Sequence, residues 1–279
     1  MLRTSPLRVL DDRDLPAVTD LLDRDPVTDV FVGSRVALCG LDPWRLGAEL
    51  WGYAERGELV SICYAGANLV PVQATEAAVH AFADRARRQG RRCSSIVGPA
   101  DAVDPLWRLL EPSWGTARAV RSQPHMVATR PPPHAGDPAV RRVREDEVEI
   151  VLPACVAMFT EEVGLSPVAG DGGTLYRSRV AELVRQGRGF ARIEGGTVIF
   201  KAEIAAVTRR ACQVQGVWVP PSHRGRGIAA AGIAAVVTEA MRSIAPAVSL
   251  YVNDYNAPAR AAYRRAGFVE NGRFMSVLF

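Results

Sequence analysis

A stretch that can bind an anion lies between Gln213 and Ala229, QVQGVWVPPSHRGRGIA. Val217 to Val219 continue an apolar strand, which Pro220-Pro221 end because proline has no N–H to donate to a neighbouring strand. A glycine-rich turn, Arg224 to Ala229, then leads into a predicted helix that runs through Arg242. The free N–H groups and the dipole at a helix N-terminus favour negative charge, and glycines let a ligand approach the backbone closely.

This turn matches neither the dinucleotide pattern G-x-G-x-x-G nor the P-loop pattern, which ends in G-K-S/T. The run from Val219 to Ile228, VPPSHRGRGI, resembles motif A of the GNAT acetyltransferase family, V-x-P-x-x-R/Q-G-x-G-I/L. Arg224, Gly227 and Ala229 also meet the narrower signature R/Q-x-x-G-x-G/A.

A second motif follows a short predicted strand, Ser249 to Asn253. The sequence that comes next resembles motif B of the same family, N-x-x-A-x-x-x-Y-x-x-x-G-F, at Asn256, Ala259, Tyr263, Gly267 and Phe268. On a helix, residues four apart share one face, so the alanine, tyrosine and glycine stack together. The glycine also suits a helix C-terminus.

The resemblance implies acetyl-CoA as co-substrate. Its pyrophosphate is expected on the backbone of residues 224–229, and its pantetheine arm along residues 217–219, where the gain in rate comes largely from positioning. The residues expected to contact it are Val217, Trp218, Val219, Arg224, Gly225, Arg226, Gly227, Ile228 and Ala229. Asn256 either contacts the same molecule or caps a helix, and the sequence does not separate these roles.

The resemblance makes Tyr263 the candidate general acid, which protonates the departing thiolate. The general base is less clear, because an alkylamine must lose a proton before it attacks. Many relatives carry a glutamate on the strand before the glycine turn, where this chain has only Gln213 and Gln215. The carboxylates that remain are Glu203 on the neighbouring strand and the Glu161-Glu162 pair, of which Glu162 and Glu203 are the candidate bases.

The order of predicted elements indicates two domains in an α/β (α+β) fold, each with a mixed, mostly antiparallel sheet flanked by helices. A proline-rich segment, residues 131–138, is expected to link them. Residues 139–279 are expected to be the catalytic GNAT domain. Residues 1–130 have a compatible element order but no R-x-x-G-x-G between Val72 and Thr75, so they are expected to be a degenerate GNAT-like domain.

Several local predictions accompany this division. Thr75 to Gln89 is expected to form an amphipathic helix that ends at Gly90. Asp146 to Phe159 is expected to be a helix broken near Pro153. Asn271-Gly272 predicts a β-hairpin between the last two strands.

Composition excludes several classes of protein. The net charge is +4, but Lys201 is the only lysine and the arginines are dispersed, so no nucleic acid is expected. Arg85 to Arg92 is the one basic cluster, and it is typical of a solvated helix end. The five cysteines show no C-x-x-C, which argues against a structural metal. No membrane-spanning stretch or signal peptide is apparent, so a cytoplasmic monomer or homodimer is expected.

The sequence therefore predicts an N-acetyltransferase that joins acetyl-CoA and a primary amine in a ternary complex. Small molecules, peptides and protein amines all remain open as acceptors, with residues 164–173 among the segments expected to shape their pocket. Two alternatives stay open. One is a non-catalytic acetyl-CoA sensor or scaffold, which the missing base favours. The other is a tRNA-dependent aminoacyl transferase of tandem-GNAT type, against which the intact glycine turn argues.

Overall fold

A computed structural model describes residues 6–169 and 172–279 of the chain. The described residues group into two compact units. The first contains the chain up to His125 together with residues 251–255 and 271–279. The second contains Met126–Leu250 and Asn256–Glu270. No helix within the described ranges is both long and apolar enough to cross a membrane.

The first unit contains three helices after its first strand, then three consecutive strands, and then two further strands separated by helices. Its elements are β1 (Leu7–Val9), α1 (Leu15–Leu22), α2 (Val30–Cys39), α3 (Pro43–Leu46), β2 (Glu49–Glu55), β3 (Glu58–Ala65), β4 (Asn68–Val72), α4 (Glu76–Gln89), β5 (Ser95–Pro99), α5 (Ala100–Trp114) and the start of β6 (Ala119–Ala128).

The second unit continues from the end of β6. Its elements are β7 (Arg141–Arg142), α6 (Val148–Val163), α7 (Thr174–Arg185), β8 (Gly189–Glu194), β9 (Thr197–Val207), β10 (Ala211–Trp218), α8 (Ile228–Ser243), β11 (Ala247–Tyr251) and α9 (Ala257–Arg265). The last strand, β12 (Val269–Leu278), begins in this unit and continues into the first.

The sheet of the first unit has the strand order β1-β2-β3-β4-β5-β12, after which the first part of β6 follows. The β4–β5 pair is parallel, as the crossover through α4 requires. Thr75 caps α4 by accepting a hydrogen bond from the Ala78 N–H, and Gly90 ends it, so the predicted helix is confirmed.

Two apolar clusters cover the two faces of this sheet. One is built around Phe82 of α4 and Val103 and Trp107 of α5. The other joins Leu21 of α1 to Val36 of α2. Full burial of a side chain the size of Phe82 stabilises the fold by about 2 kcal/mol, so each face contributes substantially to this unit.

The sheet of the second unit has the order β11-β10-β9-β8-β7, and the end of β6 lies beside β11. β10 and β11 are parallel around the α8 crossover, whereas β10–β9, β9–β8 and β8–β7 are antiparallel. The strand order β7-β8-β9-β10-β11 thus repeats the order β1-β2-β3-β4-β5 of the first unit. In each unit the last two of these strands are parallel, and each of the two is followed by a helix. The expected fold, mixed sheets flanked by helices, is confirmed.

Two local details differ from the sequence predictions. Asn271 and Gly272 form no hairpin, because β12 runs unbroken through them, with Gly272 at φ 121°. The helix predicted to break near Pro153 continues through it from Val148 to Val163. A proline removes one backbone hydrogen bond, and Val151, Ala154 and Cys155 stay buried around this one.

Residues 131–138 fall within the second unit instead of between two domains. The Asp137 N–H donates to the Ala231 carbonyl of α8 at 2.9 Å. Gly136 lies so close to the helix that a Cβ there would be 2.3 Å from the Ala235 nitrogen. Asp137 also accepts a hydrogen bond from Arg192 at 2.8 Å. The proline-rich segment is therefore packed chain, and residues 271–279 belong to the first unit.

Candidate functional site

The glycine turn of the second unit presents an open helix N-terminus. Gly225 and Gly227 have φ values of 76° and 77°, a region that favours glycine. Gly227 is the N-cap of α8, and no side chain caps the helix there. A Cβ added at either glycine would meet no heavy atom within 4 Å. The start of α8 is therefore open, and its first N–H groups suit an anion such as a pyrophosphate.

Side chains from α6 fix this turn in place. The Arg224 Nε donates to the Val219 carbonyl at 2.9 Å, and its Nη2 donates to Glu161 Oε2 at 2.7 Å. The Trp218 Nε1 donates to the other oxygen of Glu161 at 3.1 Å. The predicted ligand-contacting side chains of Trp218 and Arg224 thus hold the turn through Glu161, whereas Arg226 is exposed. The role of Glu161 was missed from sequence because only the fold brings it there.

A β-bulge interrupts the pairing of β10 with β9 near the end of β10. Gln215 pairs with Glu203, and Trp218 pairs with Lys201, so β10 has one extra residue between these pairs. Gly216 has φ 61° within the bulge. The parallel pairing with β11 extends from Ala211 to Gln213, while β10 itself continues to Trp218. The backbone of residues 214–219 therefore lies beyond the last residue paired with β11, so an extended ligand could form hydrogen bonds with it.

The corresponding turn of the first unit is closed. Gln73 follows β4 at φ 46°, and its Nε2 donates to the Leu21 carbonyl at 2.6 Å and to Asp29 Oδ2 at 2.8 Å. Thr75 occupies the cap of α4 with its own hydroxyl. Burial raises the pKa of Asp29 to about 7, although the hydrogen bond from Gln73 acts in the opposite direction. This helix N-terminus is thus occupied by the chain itself.

Motif B forms α9, and its residues take distinct places. Asn256 Oδ1 accepts a hydrogen bond from the Ala259 N–H at 3.2 Å, so it caps the helix. Tyr263 is 7% exposed and packs against Phe268, with ring centroids 6.0 Å apart. Burial raises the pKa of Tyr263, and the Glu162 carboxylate raises it further. The phenol is therefore protonated at neutral pH, as a general acid requires.

The two candidate bases lie in different surroundings. Glu162 is exposed near the end of α6, and its charge acts on both Tyr263 and Tyr176. Glu203 is buried, and its Oε1 accepts a hydrogen bond from Lys201 Nζ at 2.5 Å. Cys155 Sγ lies 3.6 Å from the same oxygen.

The sequence did not point to Lys201, Cys155 or Tyr176 as residues near Glu203. The Tyr176 hydroxyl donates to the Cys155 carbonyl at 3.0 Å. Only Lys201 carried a signal. It is the sole lysine of the chain, two residues from Glu203 on a strand, where side chains i and i+2 share a face.

Part of the segment expected to shape the acceptor pocket lies outside the described residues, namely residues 170 and 171 of the range 164–173. The described part carries three exposed apolar side chains around the end of α6 and the start of α7. They are Leu165, Val168 and Leu175.

A separate cleft of about 440 Å³ lies between α8 and residues 136–142, and Phe190 also lines it. Its charged groups are paired within the unit: Arg142 donates to Glu239 at 3.1 Å, and Arg141 donates to Glu147 at 2.7 Å. These pairs leave the cleft without an obvious charge preference, unlike the glycine turn.

Two family models match parts of the chain. Residues 171–268 match the acetyltransferase (GNAT) family, and residues 48–151 match a domain of unknown function, DUF4081. No curated protein matches.

Solved structures match nearly the whole chain. A GCN5-related N-acetyltransferase from Sphaerobacter thermophilus is 19% identical, with a TM-score of 0.63, and the alignment covers 97% of this chain and 93% of that one. A tandem GNAT protein from the clavulanic acid biosynthesis pathway is 15% identical, with a TM-score of 0.57 and 98% of each chain covered. A GNAT acetyltransferase from Colwellia psychrerythraea is 15% identical, with a TM-score of 0.57, and the coverage is 98% of this chain and 99% of that one. At these identities the likeness concerns the fold.

Proposed function

We propose that the protein transfers an acetyl group from acetyl-CoA to a primary amine, because residues 171–268 match the GNAT acetyltransferase family and the whole chain shares its fold with a tandem GNAT protein. The observation that carries the proposal is the open glycine turn at the start of α8. No side chain caps the helix there, and the strand before the turn, β10, continues beyond its last residue paired with β11. The first unit, whose turn is closed by Gln73, is proposed to be a degenerate domain without this cofactor.

The donor set fits acetyl-CoA in two places. Backbone N–H groups at the start of α8 suit a pyrophosphate, and Gly225 and Gly227 leave the space that side chains would fill. The backbone of Val217 and its neighbours suits the amide groups of the pantetheine arm, which would pair there as an added strand. Arg224 and Trp218 act indirectly by holding the turn on Glu161.

The chemistry assigns one proton transfer to each side of the reaction. Tyr263 is proposed to protonate the departing thiolate, since its phenol stays neutral at physiological pH. Of the two candidate bases, Glu162 is proposed to accept the amine proton through a water, because it is exposed and its charge reaches Tyr263. Glu203 is held by Lys201 and Cys155, so it suits a supporting role better.

The sensor alternative has one specific observation in its favour. The buried carboxylate nearest the bulge, Glu203, is engaged in an ion pair, and Glu162 is set at the surface. A sensor would bind acetyl-CoA with the same turn and release no CoA. Turnover in the presence of amines therefore separates the two functions, whereas binding alone does not.

Calorimetric titration with acetyl-CoA tests the cofactor site directly. We expect one site per chain, and Gly227→Asp should weaken binding at least tenfold, because a carboxylate would enter the anion site and strain a left-handed backbone. Thr75→Gly, which opens the corresponding helix end of the first unit, is the matched control and should leave affinity unchanged. Equal affinity of Gly227→Asp and the unaltered protein would refute the assignment of this turn.

A further inference from the structure

The only lysine of the chain lies under the β-bulge of the second unit. The Lys201 side chain is 3% exposed and its Nζ lies 2.5 Å from Glu203 Oε1. A Cβ built on Gly216 would lie 3.2 Å from this Nζ, 3.3 Å from Glu203 Cδ and 3.1 Å from Met158 Cε. The Lys201–Glu203 ion pair thus lies directly beside Gly216, a residue of the β10 bulge.

The pair faces α6. Phe200 points to the opposite face of the sheet, because a Cβ on Gly232 of α8 would be 2.6 Å from its ring. Side chains alternate along a strand, so Lys201 and Glu203 point away from α8. The hydrogen bond between Glu203 and Cys155 of α6 agrees with this direction.

The ammonium is charged although it is buried. Burial acts to lower the pKa of Lys201, but Glu203 and Cys155 outweigh it and the pKa is raised. A lysine ammonium has three donors, and Glu203 takes one of them. A buried ion pair is seldom better for stability than apolar residues of similar volume, so its presence at this place favours a function.

We infer that the Lys201 ammonium stabilises the negative charge that develops on the thioester carbonyl oxygen beside Gly216. The inference rests on the proposed acetyl transfer. When the amine nitrogen forms its bond to the acyl carbon, the carbonyl electron pair moves onto oxygen, where the ammonium meets it. The C–S bond then breaks as the carbonyl re-forms, the thiolate takes the Tyr263 proton, and the amine proton leaves through Glu162. Preorganised donors act strongly in such water-poor sites.

A single labelled atom tests this inference without any acceptor. Protein grown with 15N-lysine shows one Nζ signal, because the chain has one lysine. We expect acetyl-CoA to shift that signal and CoA, which lacks the acyl oxygen, to shift it less. Identical shifts with the two molecules would overturn the inference. A mass gain of one acetyl group at Lys201 would also overturn it, since the lysine would then be the acceptor.

Calorimetry supplies an independent measurement. The double variant Lys201→Met with Glu203→Leu removes both charges and avoids a lone buried ion, so it is the variant most compatible with folding. We expect the ratio of the Kd for CoA to the Kd for acetyl-CoA to be roughly tenfold lower in this variant than in the unaltered protein. Arg192→Met, which removes another ion pair of the same unit, is the control and should keep that preference. An unchanged preference in the double variant counts against the inference, whereas absence of acetyl-CoA binding in the unaltered protein overturns the proposed function as well.

Discussion

Neutralising Asp29 should remove a pH-dependent loss of stability from the first unit. Asp29 is 4% exposed and accepts a hydrogen bond from Gln73, the residue that closes the turn after β4. Burial raises its pKa from 3.8 to about 7. Asp29→Asn keeps the size of the side chain and an oxygen that can accept the same hydrogen bond, but it cannot ionise.

The sign of the effect follows from where the proton is bound. Below about pH 4 the Asp29 carboxyl is protonated in both the folded and the unfolded chain, so its contribution to stability is fully present. Between that pH and about 7 the folded protein still holds a proton that the unfolded chain has lost, and stability falls as the pH rises. Above about pH 7 the contribution is gone.

The size follows from the shift in pKa. A shift from 3.8 to about 7 corresponds to roughly 4 kcal/mol in total, at about 1.4 kcal/mol per unit. Most of this lies between about pH 5 and about pH 8, where the unaltered protein should lose roughly 2.5 kcal/mol relative to Asp29→Asn.

Urea unfolding of the full chain at those two pH values, followed by a probe in the first unit, measures the difference. Trp51 is buried in that unit and suits fluorescence detection. Asp20→Asn changes an exposed carboxyl of α1 and is the matched control, with an expected change below about 0.5 kcal/mol. If Asp29→Asn and the unaltered protein show the same dependence on pH, the carboxyl does not hold its proton in the folded state and the reasoning is wrong.

Three further predictions concern the second unit. Tyr263→Phe should lower the release of CoA in the presence of amines by about 100-fold and leave the Kd for acetyl-CoA within about twofold; a sensor would keep its binding and show no turnover to lose. Glu161→Gln should release Arg224 from the glycine turn and weaken acetyl-CoA binding severalfold in calorimetry, yet change the free energy of unfolding by less than about 1 kcal/mol, because the ion pair is nearly half exposed. Gly232→Ala should destabilise the unit by about 1–3 kcal/mol in thermal unfolding, since its Cβ would lie 2.6 Å from the ring of Phe200; an unchanged Tm would show that the ring has room to move.

Much of the fold was predictable because its signals are local. The helix at Glu76–Gln89 has a threonine cap, an apolar face and a glycine end within one stretch of sequence. The glycine turn likewise combines proline, positive-φ glycines and an apolar helix in adjacent residues. Such elements depend on backbone preferences and periodicity, which any short window of the chain displays.

Predictions failed where a distant partner decides the outcome. Asn271-Gly272 is a strong hairpin signal, but residues 274–278 pair with β5 across a large distance in sequence, and the strand stays straight. The segment 131–138 has the composition of a linker, yet its backbone bonds to α8. In each case tertiary hydrogen bonds outweighed a local preference worth about 1 kcal/mol or less.

The sequence by itself determined the resemblance to the GNAT family and the place of the glycine turn before α8, because both motifs are continuous in the chain. It also predicted that Ala259 and Tyr263 share a face of α9, whereas Gly267 lies beyond the end of that helix with φ 92°. Only the tertiary structure decided what surrounds them: that Glu161 holds Arg224, that Asn256 is a cap, and that Lys201 neutralises Glu203 beneath Gly216. Charges and hydrogen bonds act through space at a few ångströms, and residues far apart in the chain reach that distance only after it folds.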